Sequence, residues 1–382
     1  MAAENTRGKQ QPMKVSLVNL GCPKNQVDAE IMLGQLAAAG YQIEDAPDRA
    51  QLVVVNTCSF IQEAKEESIQ AILEAAELKR TGGCQAVVVT GCLAQRYGQQ
   101  LPTLLPEVDA FVGTGEFPHV VQIASAALRR LRPNRSWVTG HTALVTAEMP
   151  RRLLTPGHMA YLKISEGCDH TCAFCAIPRI RGRMQSRTRE DLVAEARRLA
   201  EGGVRELILI SQDTTDYGRD RGETHGLLRL VHALLEVPAL RWIRLHYLYP
   251  TRITPELIGL LASEPRLCRY LDMPLQHCDG AILKAMGRGG DERSLRRLLD
   301  RVRQAVPDIT IRTSFITGFP GETAAQFSRL LRFVEEMCLD RVGVFCYSDE
   351  EDTRAFEMGA KVSRRVAHRR RARVMTAQAR IA

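Results

Sequence analysis

Short runs of β-branched residues alternate with longer stretches of helical period along most of this chain. No other feature constrains the fold as strongly. The alternation is the signature of parallel strands with helices packed on them. In the first series, strands are expected at residues 14–20, 51–56, 86–90 and 110–113, and helices over 26–39, 60–79, 93–104 and 117–130. Uninterrupted apolar strands, such as residues 52–55, suit a sheet covered on both faces.

Residues 131–158 break the rhythm with several prolines and no long helical period, as an interdomain segment does. The alternation then resumes. Strands are expected at 159–165, 205–211, 241–247, 269–273, 308–316 and 340–347, with helices over 189–202, 225–236, 254–262, 291–305 and 322–338. Six such units are too few to close an eight-strand barrel. The expected fold is therefore α/β: an N-terminal parallel-sheet domain over 14–130, a linker over 131–158, and an open partial (βα)6 barrel over 159–360. Residues 1–13 read as a disordered N-terminus and 361–382 as a basic helical tail.

Composition narrows the class. Of 382 residues, 45% are hydrophobic, which excludes global disorder. No apolar run approaches the ~18 residues of a membrane helix, and the N-terminus lacks the apolar stretch of a secretory signal. The chain is expected to be cytoplasmic, so its 11 cysteines point to metal binding or catalysis rather than disulfides. The net charge of +8 is local. Residues 361–382 hold Lys361, Arg364, Arg365, Arg369, Arg370, Arg371, Arg373 and Arg380 and no acid, which leaves the rest neutral. The body thus lacks the overall basic excess of a nucleic-acid binder.

Three cysteines occupy one kind of position in the first series. Cys22, Cys58 and Cys92 each follow a strand, about one βαβ period apart. In a parallel sheet the C-terminal ends of strands line one edge, where ligand sites form. Three thiolates on such an edge suit a metal or an iron–sulfur cluster. The competing reading is packing, since free cysteine is among the most buried residues. The second series opens on a sharper pattern. Its first strand runs into GCDHTCAFCAIP, with Cys168, Cys172 and Cys175 spaced C-x3-C-x2-C. No fourth ligand follows at the spacing of a structural zinc site, although His170 lies inside the loop. Three thiolates on a cubane leave one iron open for a substrate or cofactor. Cys84, Cys268, Cys278, Cys338 and Cys346 share no ligand spacing and read as packing residues.

The triplet, its place at the mouth of the strands and the six βα units resemble the radical S-adenosylmethionine superfamily. The preceding three-cysteine domain narrows the resemblance to the methylthiotransferases. It rests on LGCPKNQVD (20–28), VNTCSFI (55–61), TGCLAQRY (90–97), SEGCDHTCAFCAIPRIRGRMQSR (165–187), SQDTTDYG (211–218), MPLQHCDGAILKAMGRG (273–289) and GFPGET (318–323). LGCPKN and SQDTT look like the branch that modifies an aspartate of small-subunit ribosomal protein twelve; the other branch modifies adenosine in tRNA.

The resemblance implies two 4Fe–4S clusters. One, on Cys168, Cys172 and Cys175, binds S-adenosylmethionine and generates a 5′-deoxyadenosyl radical. The other, on Cys22, Cys58 and Cys92, carries the sulfur to be transferred. It also implies an electron donor such as flavodoxin. A radical suits the substrate, because the β-carbon of an aspartate resists deprotonation and the cofactor carries the difficult chemistry. Gln212 and Asp213 would accept hydrogen bonds from the ammonium of S-adenosylmethionine, with a turn cap as the alternative for Asp213. Arg181 and Arg183 have the fork to pair a carboxylate, of the cofactor or of the substrate. Gly318 and Gly321 would admit the backbone close to an adenosine or ribose face. Gln276 and His277 would support the same mouth. Family members usually continue into a small β-barrel, the TRAM module, which these residues do not include. Two other functions compete: a tRNA methylthiotransferase, and a non-catalytic iron–sulfur electron carrier.

Overall fold

The computed structural model describes residues 12–131 and 134–381. The expectation of disorder over residues 1–13 lies outside these residues apart from Pro12 and Met13. Met13 is tied down, its carbonyl accepting from Gln42 N at 2.9 Å.

The chain divides into two units. The first takes in the chain up to Ser59, Ala64–Ala143 and Met149–Arg152; the second takes in Phe60–Glu63, Leu144–Glu148 and the chain from Leu153 onward. The segment expected to link two domains is thus shared between them. Its strand at 135–137 completes the first sheet. Arg151 is held in the first unit by the buried Glu30, at 2.6 Å, and Arg152 N donates to Glu30 O.

The first unit contains β1 (Lys14–Asn19), α1 (Pro23–Ala38), β2 (Gln42–Ile43), β3 (Leu52–Thr57), α2 (Gln62–Thr81), β4 (Ala86–Gly91), α3 (Cys92–Tyr97), α4 (Leu101–Leu104), β5 (Ala110–Val112), α5 (Val120–Leu128) and β6 (Arg135–Trp137). The first residues of α2 belong to the second unit. All six strands are parallel, in the order β2-β1-β3-β4-β5-β6. Every residue of β3 and β4 is buried, as their unbroken apolar runs require of a sheet with helices on both faces. The order reverses at β1, so the crevice beside β1 and β3 is where a sheet of this kind binds ligands.

The second unit contains β7 (Met159–Lys163), β8 (Ser165–Glu166), α6 (Ile177–Arg181), β9 (Gln185–Ser186), α7 (Arg189–Glu201), β10 (Glu206–Ile210), α8 (Gly226–Leu235), β11 (Trp242–Leu245), α9 (Pro255–Ser263), β12 (Leu267–Asp272), α10 (Gly280–Ala285), α11 (Glu292–Ala305), β13 (Thr310–Thr317), α12 (Ala324–Met337), β14 (Arg341–Cys346) and α13 (Arg364–Ile381). Six parallel strands follow one another in sequential order from β7 to β14. Among the described residues β14 does not pair with β7, so the barrel is open.

Side-chain caps fix where its helices start. Thr188 accepts from Asp191 N before α7, Asp279 from Ala281 and Ile282 N before α10, and Asp291 and Thr323 form capping boxes before α11 and α12. Leu207 and Leu209 of β10, Ile311 and Phe315 of β13, and the inner faces of α8, α11 and α12 make one continuous core.

Within the basic tail, α13 is docked on the rest of its unit. Ala367, Arg370, Val374, Ala377 and Gln378 of α13 are buried. Arg370 pairs with the buried Glu322 at 2.9 Å. Arg371 Nε donates to Val344 O at 2.9 Å, and Gln378 Nε2 to Leu339 O at 2.8 Å. Seven of the charges that dominate the net balance lie on this one helix.

Candidate metal centres

In the first unit, β1, β3 and β4 are neighbours, and each delivers a cysteine just past its last residues. Cys22 is the N-cap of α1, with Pro23 at the first helical position. The helix dipole there favours a thiolate. Cys58 follows β3, its N–H and carbonyl both bonded to the Ser68 hydroxyl, at 3.0 and 2.8 Å. Cys92 opens α3 directly after β4.

Asn25 gathers the three turns. Its Nδ2 donates to Leu20 O at 3.0 Å and to Thr57 O at 2.8 Å, and its Oδ1 lies 3.7 Å from the Cys92 Sγ. A Cβ placed on Gly21 would lie 3.3 Å from the Cys58 Sγ and 3.4 Å from Asn25 Nδ2. Only glycine lets the turn after β1 come so close to that thiol. Three cysteines at the ends of adjacent strands offer a soft donor set that suits an iron–sulfur cluster.

In the second unit, β7 and the two-residue pairing of β8 with β9 lead into the loop of Cys168, Cys172 and Cys175. Cys168 N donates to Gly182 O at 3.1 Å and Cys175 N to Cys172 O at 3.2 Å. Burial pushes the Cys168 and Cys175 thiols up to about 12, with the other thiols of the triplet adding to the rise. A bound cation inverts that preference and favours the thiolates. The donor set fits a three-cysteine cluster.

The loop is clamped from two sides. Ala173 N donates to Met286 O at 2.8 Å, and Ala355 N donates to Ala173 O at 2.8 Å. His170 Nε2 lies 2.5 Å from Asp213 Oδ2 and 3.6 Å from Asp216. Its ring stacks on Tyr249 at 4.1 Å. Below the loop, Glu166 is a buried hub: its carboxylate accepts from Lys163 Nζ at 2.7 Å, Arg181 Nη1 at 2.9 Å and Gln212 Nε2 at 2.7 Å. Burial opposes ionisation of Glu166, yet the Arg181 and Lys163 charges hold its carboxyl well below the usual carboxylate range.

The other expected residues fall into distinct places. The Gln212 Oε1 is buried with no hydrogen-bond partner, an orphan acceptor beside the loop. Asp213 takes the turn-cap alternative: Oδ1 accepts from Thr215 N at 2.9 Å, while Oδ2 faces His170. Arg181 is buried in its pair with Glu166, whereas the Arg183 side chain is 88% exposed and pairs with Asp169 at 3.2 Å.

Gly318 does admit a close neighbour, but that neighbour is protein. Its φ is +79°, and a Cβ there would meet Ala367 Cβ of α13 at 2.4 Å. Gly321 faces open space, with its N–H on Ala360 O at 2.9 Å. His277 is fully buried, its Nδ1 accepting from Asp279 N at 2.9 Å. Gln276 reaches β13 through a backbone bridge to Phe315. Lys163, Glu166, Tyr249, Asn25 and Arg288 were not anticipated as parts of either site. A lysine at the end of an otherwise apolar strand was the one local signal among them.

Comparison with known proteins agrees with this division. A model for the radical SAM superfamily matches residues 162–334, and one described as uncharacterized protein family UPF0004 matches 14–113. A protein of Trichlorobacter lovleyi named ribosomal protein uS12 methylthiotransferase RimO is 50% identical over 368 residues, covering 96% of this chain and 82% of its own length. A protein of the same name from Geobacter sulfurreducens is 50% identical over 369 residues, with the same coverage. Among solved structures, the radical S-adenosylmethionine methyltransferase TsrM from Kitasatospora setae superposes with a TM-score of 0.61 at 17% identity, over 87% of this chain and 72% of that one. The cobalamin-dependent radical enzyme OxsB gives 0.56 at 12% identity, over 91% of this chain and 55% of that one. These two likenesses concern the fold. No described helix is long and apolar enough to cross a membrane.

Proposed function

We infer the activity from descent: this chain belongs to the RimO family of ribosomal protein uS12 methylthiotransferases. Its reaction is the radical-based addition of a methylthio group to the β-carbon of an aspartate in that small-subunit protein. The observation that carries the reading is the placement of Cys22, Cys58 and Cys92 at the ends of three adjacent strands, in a chain whose second unit opens on the Cys168, Cys172 and Cys175 loop.

Each triplet is proposed to hold a 4Fe–4S cluster through three thiolates, the second of them together with S-adenosylmethionine. When bound, these groups supply the electron, the radical, the methyl group and the sulfur. The chain's own residues place them. Asn25 ties the turns after β1 and β3 together beside the Cys92 Sγ, and Gly21 lets the first turn approach the Cys58 thiol. His170, locked between Asp213 and Tyr249, holds the second loop in one shape. The orphan Oε1 of Gln212 is a ready acceptor for an ammonium group. Asp213 acts through His170, and Arg181 through Glu166. The exposed Arg183 is suited to meet a substrate carboxylate. Gly318 is assigned to packing, and Gly321 keeps the open position a ribose would use. A low-potential one-electron donor such as flavodoxin and a cytoplasmic setting follow from the reaction.

Anaerobic reconstitution with iron and sulfide counting tests the sites. About eight irons are expected, as two four-iron clusters, and replacing Cys168, Cys172 and Cys175 by Ala removes about half. Incubation with S-adenosylmethionine, a reductant and either ribosomal protein uS12 or tRNA tests the substrate. Product on tRNA alone sinks the reading, and absence of 5′-deoxyadenosine sinks the enzyme.

A further inference from the structure

Arg288 lies directly after the turn that follows α10. Its Nη1 lies 3.7 Å from the Cys172 Sγ, and its Nη2 donates to Pro274 O at 2.8 Å. Its guanidinium stands 4.2 Å from the centre of the Tyr249 ring. The other face of this contact system is His170, stacked on Tyr249 at 4.1 Å and 10° between planes. Arg288, Tyr249 and His170 therefore form a linked series that grips the cysteine loop at Cys172 and again two residues earlier. The approach is enforced by the backbone. A Cβ on Gly287 would lie 2.7 Å from Thr171 O, so glycine is needed for this turn to press on the loop.

An arginine so held differs from a surface cation. It cannot lose its charge, its planar group is fixed by one carbonyl and one ring, and it points a donor at a sulfur. Hydrogen bonds to cluster sulfurs and the net charge around a cluster are what a protein uses to set its reduction potential. One-electron reduction adds a negative charge to the cluster, and a fixed cation beside the ligand sulfur stabilises the reduced form more than the oxidised one.

Resting on the assignment of Cys172 as a cluster ligand, we propose that Arg288 is a positioning residue that holds its charge against the Cys172 sulfur and makes reduction of the cluster there easier. It acts through Cys172 and is not itself a site for S-adenosylmethionine.

The test uses the full chain, anaerobically reconstituted, with potentials read by electron paramagnetic resonance during a reductive titration without S-adenosylmethionine. The couple to follow is the one that Cys172→Ala abolishes. In Arg288→Gln, iron content should hold while the reduction equilibrium of that couple becomes about tenfold less favourable, a shift of ~59 mV to lower potential for one electron. Arg288→Lys should restore most of the shift. An unmoved couple in Arg288→Gln with full iron overturns the proposal, above all if binding of S-adenosylmethionine is what weakens. A lysine variant as displaced as the glutamine variant also overturns it, because charge then is not the cause. Should Arg288→Gln lose iron at this site, the lysine variant decides: a near-native potential supports the proposal and a shifted one overturns it. A wild-type chain with no Cys172-dependent couple is a separate outcome, which overturns the functional reading itself.

Discussion

Gly318 was expected to open space for a ligand, yet the structure closes that space with helix α13. Replacing it with Ala tests which role the residue plays. Alanine at φ +79° enters the left-handed region, at a cost of about 1–2 kcal/mol. Its new Cβ would lie 2.4 Å from Ala367 Cβ and 3.2 Å from Ala367 Cα, well inside the ~3.5–4.0 Å of carbon contact. Ala367 cannot swing aside, because α13 is pinned by Arg370 on Glu322 and by Gln378 on Leu339 O. Overpacking of this kind adds about 1–3 kcal/mol. The sum, about 2–5 kcal/mol, lowers the melting temperature by about 4–20 °C for a unit of this size. Scanning calorimetry reads it. Ala367→Gly alone costs about 1 kcal/mol of helix propensity, but in the double variant it removes the nearer contact, that with the Ala367 Cβ. The two changes should therefore couple favourably by about 1–3 kcal/mol, leaving the backbone cost behind. Strict additivity, or a Gly318→Ala variant that melts like the wild type, refutes the packing role and returns the glycine to a ligand.

Three further outcomes follow from buried polar groups. Glu166→Gln removes the negative charge that Lys163 and Arg181 share and should cost about 3–5 kcal/mol at neutral pH. Because the folded pKa of Glu166 lies below its ordinary 4.5, its stabilisation is present above that value and fades as pH falls beneath it; denaturant midpoints of wild type and variant should converge in acid, and a constant gap refutes the ion-pair account. Asn25→Ala leaves Leu20 O and Thr57 O without their donor, costing about 2–4 kcal/mol, and should lower the iron held by Cys22, Cys58 and Cys92 while sparing the other cluster. Thr323→Ala removes the hydroxyl half of a capping box, leaving Gln326 N without its acceptor, and should lower stability by about 1 kcal/mol, read by urea unfolding with the iron content unchanged.

Much of the architecture is written in local pattern. The apolar runs of β3 and β4 and the βα rhythm declare parallel sheets, and three cysteines in one topological slot declare an edge. The three strands that deliver them, β1, β3 and β4, are neighbours, which follows from the chain reversing at β1. What local pattern does not carry is partnership across sequence. Gly318 looks the same whether its neighbour is a nucleoside or Ala367, which lies far along the chain. Asp213 is equally able to bind an ammonium or cap a turn, and only the fold brings His170 within its reach. Arg288 sits in an unremarkable basic turn until α10 delivers it to Cys172. Lys163 and Glu166 are ordinary charges whose burial is decided by the strands around them.

The arginines of α13 have a consequence beyond electrostatics. An open run of parallel strands ends in β14, and a rim strand with unmet carbonyls is a template on which another chain can grow. Here Arg371 occupies the carbonyl of Val344 and Gln378 that of Leu339 just before the strand. The helix supplies long side-chain donors, one guanidinium and one carboxamide, where a further strand would supply backbone amides. It occupies these two carbonyls without extending the sheet. The basic tail thus spends Arg370 and Arg371 on the barrel's own carboxylate and backbone rather than on solvent.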